Sequence, residues 1–154
     1  MNAPQESSAV LTTLAPVIRA FAGLPPERRA AVPATLPMRV NSERGRTEYL
    51  LVGLVQGPDG YFAYPMGKGS GSVTTFSGAD GFITIDQHTE ILDSGSTVEV
   101  TLLGQKLEPA DLVIIGSHCV GLDLLVGKLM RQGIRVKLMM VGSMGGLAAA
   151  KRGE

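Results

Sequence analysis

Apolar residues in this chain change their spacing twice along its length. From Val10 to Phe21 they recur at helical spacing, with Val10, Leu11, Leu14, Val17, Ile18 and Phe21 on one face. Gly23, followed by Pro25 and Pro26, stops that pattern. Pro16 lies inside it and predicts a kink, or a helix that starts near Thr13. One short amphipathic helix cannot bury its stripe alone, so this one is expected to pack on something else.

After the proline-bounded stretch "LPPERRAAVP", read as a linker, the spacing becomes that of strands. "TLPMRVN", "EYLLVGLVQ", "YFAYPM", "GFITID" and "STVEVTLL" are strand candidates. "GPDG" predicts a hairpin between the second and third, and "SG" at Ser94 and Gly95 separates the last two. Short strands this close together predict a small antiparallel barrel or sandwich.

The last third changes again. "DLVIIG" and "RVKLMMVG" are short buried-type strands. Between them, "VGLDLLVGKLMRQ" puts Leu122, Leu125, Val126 and Leu129 on one helix face, with Gly133 as its stop. "SMGGLAAAKRG" predicts a second helix, with Ser143 as N-cap and Gly153 as stop. Strand, helix, strand, helix is a βαβα unit with parallel strands and a right-handed crossover, too small to be a complete doubly wound sheet. The expected fold is α+β in two units: a barrel preceded by a helix, then a partial βαβα unit.

Composition narrows the function classes. The formal net charge is zero, so nothing predicts nucleic acid or an anionic membrane as partner. With Cys119 as the one cysteine, no intrachain disulfide forms, which fits a reducing cytoplasm. No signal peptide and no apolar run of transmembrane length are read. The unpartnered stripe and the unfinished sheet edge predict a homo-oligomer.

The Gly- and Ser-rich stretch "GKGSGSVTTFSGADGF" fails as a Walker loop. Six residues separate Gly60 from Gly67, and Gly69 follows Lys68 where Ser or Thr is needed. It also lies between strands, which excludes a Rossmann fingerprint. Val73, Phe76 and Phe82 argue against a plain linker. A loop and short strand over a barrel explains it, as does a backbone-rich contact surface.

Three further positions carry little chemistry. Asp80 reads as a turn former before Gly81, and His88 as an exposed turn residue. His118 and Cys119 are adjacent but have no second cluster, so no zinc site is expected, and Cys119 reads as a small residue opening a buried helix. The turns Gly116-Ser117-His118 and Gly142-Ser143-Met144 each follow a strand and open a helix. If the strands are parallel neighbours, both helix starts open on one sheet edge, and Ser117, His118 and Ser143 form a candidate anion site. Two serine N-caps explain the same serines without a ligand.

"GSGSVTTFSGADGFITI", with "SERGRTEYLLVGLV" before it and "EILDSGSTVEVTLL" after it, resembles the C-terminal β-barrel of molybdopterin molybdenumtransferases, the MoeA-like proteins. The tail from "IIGSHCVGLDLL" onward is similar to the opening of the periplasmic-binding-protein-like domain fused behind that barrel in one subgroup. "AGLPPERRAAVPATL" resembles the junction out of the family's central catalytic domain. Asp86 departs from the pattern, where the family commonly has proline.

The resemblance implies three segments: 1–30, helix and Pro-rich linker ending a missing catalytic domain; 31–104, the barrel; and 105–154, the partial βαβα unit. It implies a fragment of a molybdenum-cofactor biosynthesis protein, not catalytic alone, with no assignable catalytic residues. The family uses Mg²⁺ and molybdate with adenylylated molybdopterin, while this chain alone implies no cofactor. Its partner would be a molybdopterin- or molybdate-type anion. By resemblance Arg46, Lys68 and Ser70 would bind that substrate, Arg46 by a bidentate guanidinium. The alternative is a non-enzymatic oxyanion- or solute-binding module built on the tail.

Overall fold

The structure, a computed structural model, describes residues 14–25, 29–66, 78–104, 106–107 and 109–154. Five strands close a barrel: β1 (Ala31–Thr35), β3 (Glu48–Gly57), β4 (Gly60–Pro65), β5 (Gly81–Ile85) and β7 (Thr97–Leu102), in the order β1-β4-β3-β5-β7. A two-stranded ladder, β2 (Val40–Asn41) with β6 (Ile91–Leu92), lies alongside. Leu50, Val52 and Leu54 alternate along β3 into the barrel, where they pack with Leu36, Ile83, Ile85 and Val100. The hairpin predicted at "GPDG" joins β3 to β4, with Gly57 opposite Gly60.

The start of the barrel corrects two expectations. The linker stretch "LPPERRAAVP" ends inside β1: Ala31, Val32 and Pro33 open that strand, with Val32 and Ala34 on the core. A proline is tolerated there because of the hydrogen-bond register. Leu102 N–H donates to Ala30 and Leu36 N–H to Ser96, so Pro33, opposite Glu99, falls on a position whose N–H the β7 ladder does not use. "TLPMRVN" is accordingly not one strand: it splits into the end of β1 and the short β2. The barrel is not wholly antiparallel either. The seam between β1 and β4 is parallel, while its other seams are antiparallel.

The near-continuous apolar run of β3 has a structural reason: both of its faces are covered. Val55 and, on β4, Tyr64 pack outside the barrel against Met139. Met139 belongs to β9 (Val136–Met140), which pairs in parallel with β8 (Leu112–Gly116). The helix α2 (Val120–Arg131) joins these two strands and α3 (Gly142–Arg152) follows them, as the βαβα pattern predicts.

The helix ends hold further corrections. α1 (Ala15–Phe21) starts with Pro16 in its first turn, where no helical N–H is lost, and it buries none of its residues. Phe21 is 90% exposed; Val10 and Leu11 lie outside the described residues. In α2, Val126 is buried but Leu125 is exposed, and Cys119 is exposed rather than set at a buried helix start. Neither serine is an N-cap. Cys119 and Val141 hold those positions, and neither gives a side-chain cap. Gly153 ends α3 in the left-handed conformation, φ 77°, as expected.

Candidate functional site

Parallel pairing of β8 with β9 brings Gly116 opposite Met140, so the two Gly-Ser turns leave the same sheet edge. Ser117 and Ser143 meet there through their hydroxyls, 2.7 Å apart. His118 turns instead to Asp123 in the first turn of α2, with Nε2 2.9 Å from both carboxylate oxygens. The edge therefore joins two neutral hydroxyls, two helix starts without side-chain caps, and one histidine held by a carboxylate. Hydroxyls and backbone N–H groups suit an oxyanion. The carboxylate of Asp123 opposes one.

The barrel residues are placed differently. Arg46 lies in the turn before β3 and pairs with Glu43; the arginine side chain is half-buried and the glutamate exposed. Its Nε is buried without a partner among the described residues. Lys68 and Ser70 lie outside the described residues.

One largely enclosed polar cluster was not singled out from sequence. Asp80, just before β5, directs Oδ2 at Leu54 N–H and at Lys137 Nζ, each at 2.5 Å. Lys137 also donates to the Leu54 carbonyl at 3.0 Å. The two side chains are only 15% and 12% exposed. This pair pins β9 to the barrel wall. It lines a cleft of about 540 Å³ whose other walls include Met66, Gly78, Val126 and Met130. A signal for it did exist: Lys137 is a single charge inside an apolar strand, and such a charge is kept when it has a buried partner.

A second junction forms at the end of α3. Glu154 accepts hydrogen bonds from Tyr64 and from Arg152, whose guanidinium also donates to the Tyr64 hydroxyl at 3.1 Å and covers the Phe62 ring. Burial, then the Glu154 contact, pushes the Tyr64 phenol up to about 12. Among the described residues no three of His, Cys, Asp and Glu converge on a possible metal position.

Residues 33–103 match the family model described as the MoeA C-terminal region (domain IV). Those limits fall on the barrel, whose strands run from Ala31 to Leu102. The barrel is MoeA C-terminal-like. A structure of the molybdopterin biosynthesis MoeA protein from Pyrococcus horikoshii is 36% identical, with a TM-score of 0.48, over 60% of this chain and 22% of that one. A second structure of a molybdopterin biosynthesis MoeA protein from the same organism is 25% identical, with a TM-score of 0.41, over 48% of this chain and 18% of that one. The chain thus spans about a fifth of the length of these solved relatives. A comparison with curated proteins finds no match. The family match ends before β8, and no helix among the described residues is long and apolar enough to cross a membrane.

Proposed function

We propose that this chain serves molybdenum-cofactor assembly in the cytoplasm. In this reading residues 31–104 are the C-terminal-type barrel of a molybdenum-insertion protein, 1–30 lead out of a catalytic domain, and 105–154 are a partial periplasmic-binding-protein-like unit. The observation that carries it is the coincidence of the matched residues, 33–103, with the limits of the closed barrel. Function belongs to a site rather than to a fold, and the matched region is the C-terminal one alone, so in this reading the chain has a supporting part.

In that part Arg46, Lys68 and Ser70 are the residues assigned to bind the anionic substrate, molybdopterin or molybdate, which the family handles with Mg²⁺. Arg46 keeps a buried Nε without a partner, a donor that a phosphate or molybdate oxygen would satisfy. The exposed stripe of α1, with Ile18 and Phe21 in solvent, supports self-association.

Two experiments test the reading. The chain alone, given adenylylated molybdopterin, Mg²⁺ and molybdate, should make no loaded cofactor above the protein-free rate. A MoeA protein whose own C-terminal barrel is exchanged for residues 31–104 should keep its molybdenum insertion. A folded chimera without that activity would overturn the assignment.

A second reading, an oxyanion- or solute-binding module, is favoured by one observation: the hydroxyl contact that joins Ser117 to Ser143 at the open sheet edge. His118, the third residue of that reading, is held by Asp123 beside the edge.

A further inference from the structure

We infer that Glu48 is a positioning residue for Arg46: acting through Ser42 and Glu43, it sets the turn of residues 42–47 so that the Arg46 guanidinium is ordered before the anionic substrate arrives. The inference rests on the reading that assigns Arg46 to that substrate.

Its first support is where Glu48 lies. Side chains alternate along β3, and Leu50, Val52 and Leu54 belong to the barrel core. Glu48 is the next position on that inward face, paired with the core residue Ile85 and only 5% exposed. Burying a carboxylate is costly, and an apolar residue would complete the barrel without that cost. A charge kept there is accounted for by what it holds.

Glu48 Oε2 accepts a hydrogen bond from the Ser42 hydroxyl at 2.8 Å. On the other side of the turn, Ser42 N–H donates to the Glu90 carbonyl at 2.8 Å and Gly45 N–H to the Gln87 carbonyl at 2.9 Å. Gly45 has φ 93°, a conformation that glycine adopts without strain. The turn is thus clamped from the barrel interior by Glu48 and from the β5–β6 connection by backbone.

Ser42 precedes Glu43, which accepts a hydrogen bond from Arg46 Nη2. Glu43 is 68% exposed, and a surface pair of this kind has little strength of its own. Its geometry is therefore set by the turn, and the bond from Ser42 to the buried carboxylate fixes the end that carries Glu43. With Nη2 so engaged, Arg46 keeps Nε buried and without a partner among the described residues. Ordering a guanidinium in advance removes part of the entropy cost of binding an oxyanion.

The test uses the whole chain, with molybdate as the probe. The Arg46 Nε–H signal is identified by nitrogen-15 NMR through its loss in Arg46→Lys. In the wild type it should exchange slowly with water, and Ser42→Ala and Glu48→Leu should each speed that exchange about tenfold. Glu48→Gln, whose side-chain carbonyl still accepts the Ser42 hydroxyl, should keep it slow. Molybdate should shift the wild-type signal, with an apparent Kd about tenfold higher in Ser42→Ala. If Glu48→Leu fails to fold, Ser42→Ala decides alone, since it removes only the hydroxyl of a partly exposed residue. Exchange at Arg46 unchanged in Ser42→Ala, or equally fast in Glu48→Gln and Glu48→Leu, would overturn the inference. If the variants speed exchange while molybdate leaves the wild-type signal in place, Glu48 still positions Arg46, and it is the assignment of Arg46 to the substrate that fails.

Discussion

Gly146 of α3 passes so close to β8 that a methyl group on it would meet the carbonyl oxygen of Ile115 at 2.6 Å. This contact sets how closely α3 packs on the sheet, and backbone cannot move aside as a flexible side chain can. Glycine inside a helix costs roughly 1 kcal/mol relative to alanine, so alanine would normally stabilise. Here the clash should win: Gly146→Ala is expected to destabilise by about 1–3 kcal/mol. Gly127 in α2 is the control, since a Cβ there meets nothing within 4 Å. Gly127→Ala should stabilise by about 0.5–1 kcal/mol. Urea denaturation of both variants checks the pair, and a stabilised Gly146→Ala would show that α3 does not depend on this close approach.

Asp80 and Lys137 should behave as one unit. Each side chain is at least 85% enclosed, at 15% and 12% exposure, and the backbone of Leu54 serves both. Lys137→Met leaves the Asp80 carboxylate without its cation and should cost about 3 kcal/mol. Asp80→Asn combined with Lys137→Met removes both charges and should cost less than the sum of the single variants, by about 1 kcal/mol or more. A double-mutant cycle in urea measures this coupling. Additive losses would mean that the two charges are solvated independently.

The elements that one ladder or one helix face specifies were legible in the sequence. β3 and β4 announce themselves by alternation and by the turn between them, and α2 by its spacing and Gly133. β1 was not legible, because its proline is acceptable only in a register set by β7, a strand more than sixty residues later. The parallel seam with β4 is equally non-local. At the site, the strand pattern predicted that Ser117 and Ser143 would share an edge, but not that their hydroxyls would bond to each other in place of capping. Asp80 was read as a turn former because its partner, Lys137, is 57 positions away and belongs to a different sheet.

Tyr64 should make the fold sensitive to alkali. Its phenol is raised from 10.0 to about 12, chiefly by burial and then by Glu154. The folded state therefore holds its proton more tightly than the unfolded chain does. The resulting stabilisation is complete below pH 10 and is lost as pH climbs from about 10 to 12. At about 1.4 kcal/mol per pKa unit this is at most about 2–3 kcal/mol. Tyr64→Phe should be less stable at neutral pH, having lost its bonds to Glu154 and Arg152, but should show a shallower decline between pH 10 and 12. Denaturation midpoints across that interval decide it, and parallel declines for the two proteins would remove Tyr64 as the source.

An oxyanion at the Ser117–Ser143 edge must first separate the two hydroxyls, which satisfy one another at 2.7 Å. It gains in return two donors and the N–H groups of two helix starts that no side chain caps. Asp123 opposes it from the first turn of α2, so affinity is expected to be weak and to improve when Asp123 is neutralised. Molybdate and tungstate should raise the melting temperature above that in chloride at equal ionic strength. Tenfold excess over the dissociation constant corresponds to about 1.4 kcal/mol, or a few degrees for a chain of this size. Ser117→Ala and Ser143→Ala should each shrink the shift while changing the unliganded melting temperature little, because both serines are exposed. Asp123→Asn should enlarge it. A shift no greater than that of chloride, or one that neither serine affects, would leave the two serines bonded only to each other, with no anion between them.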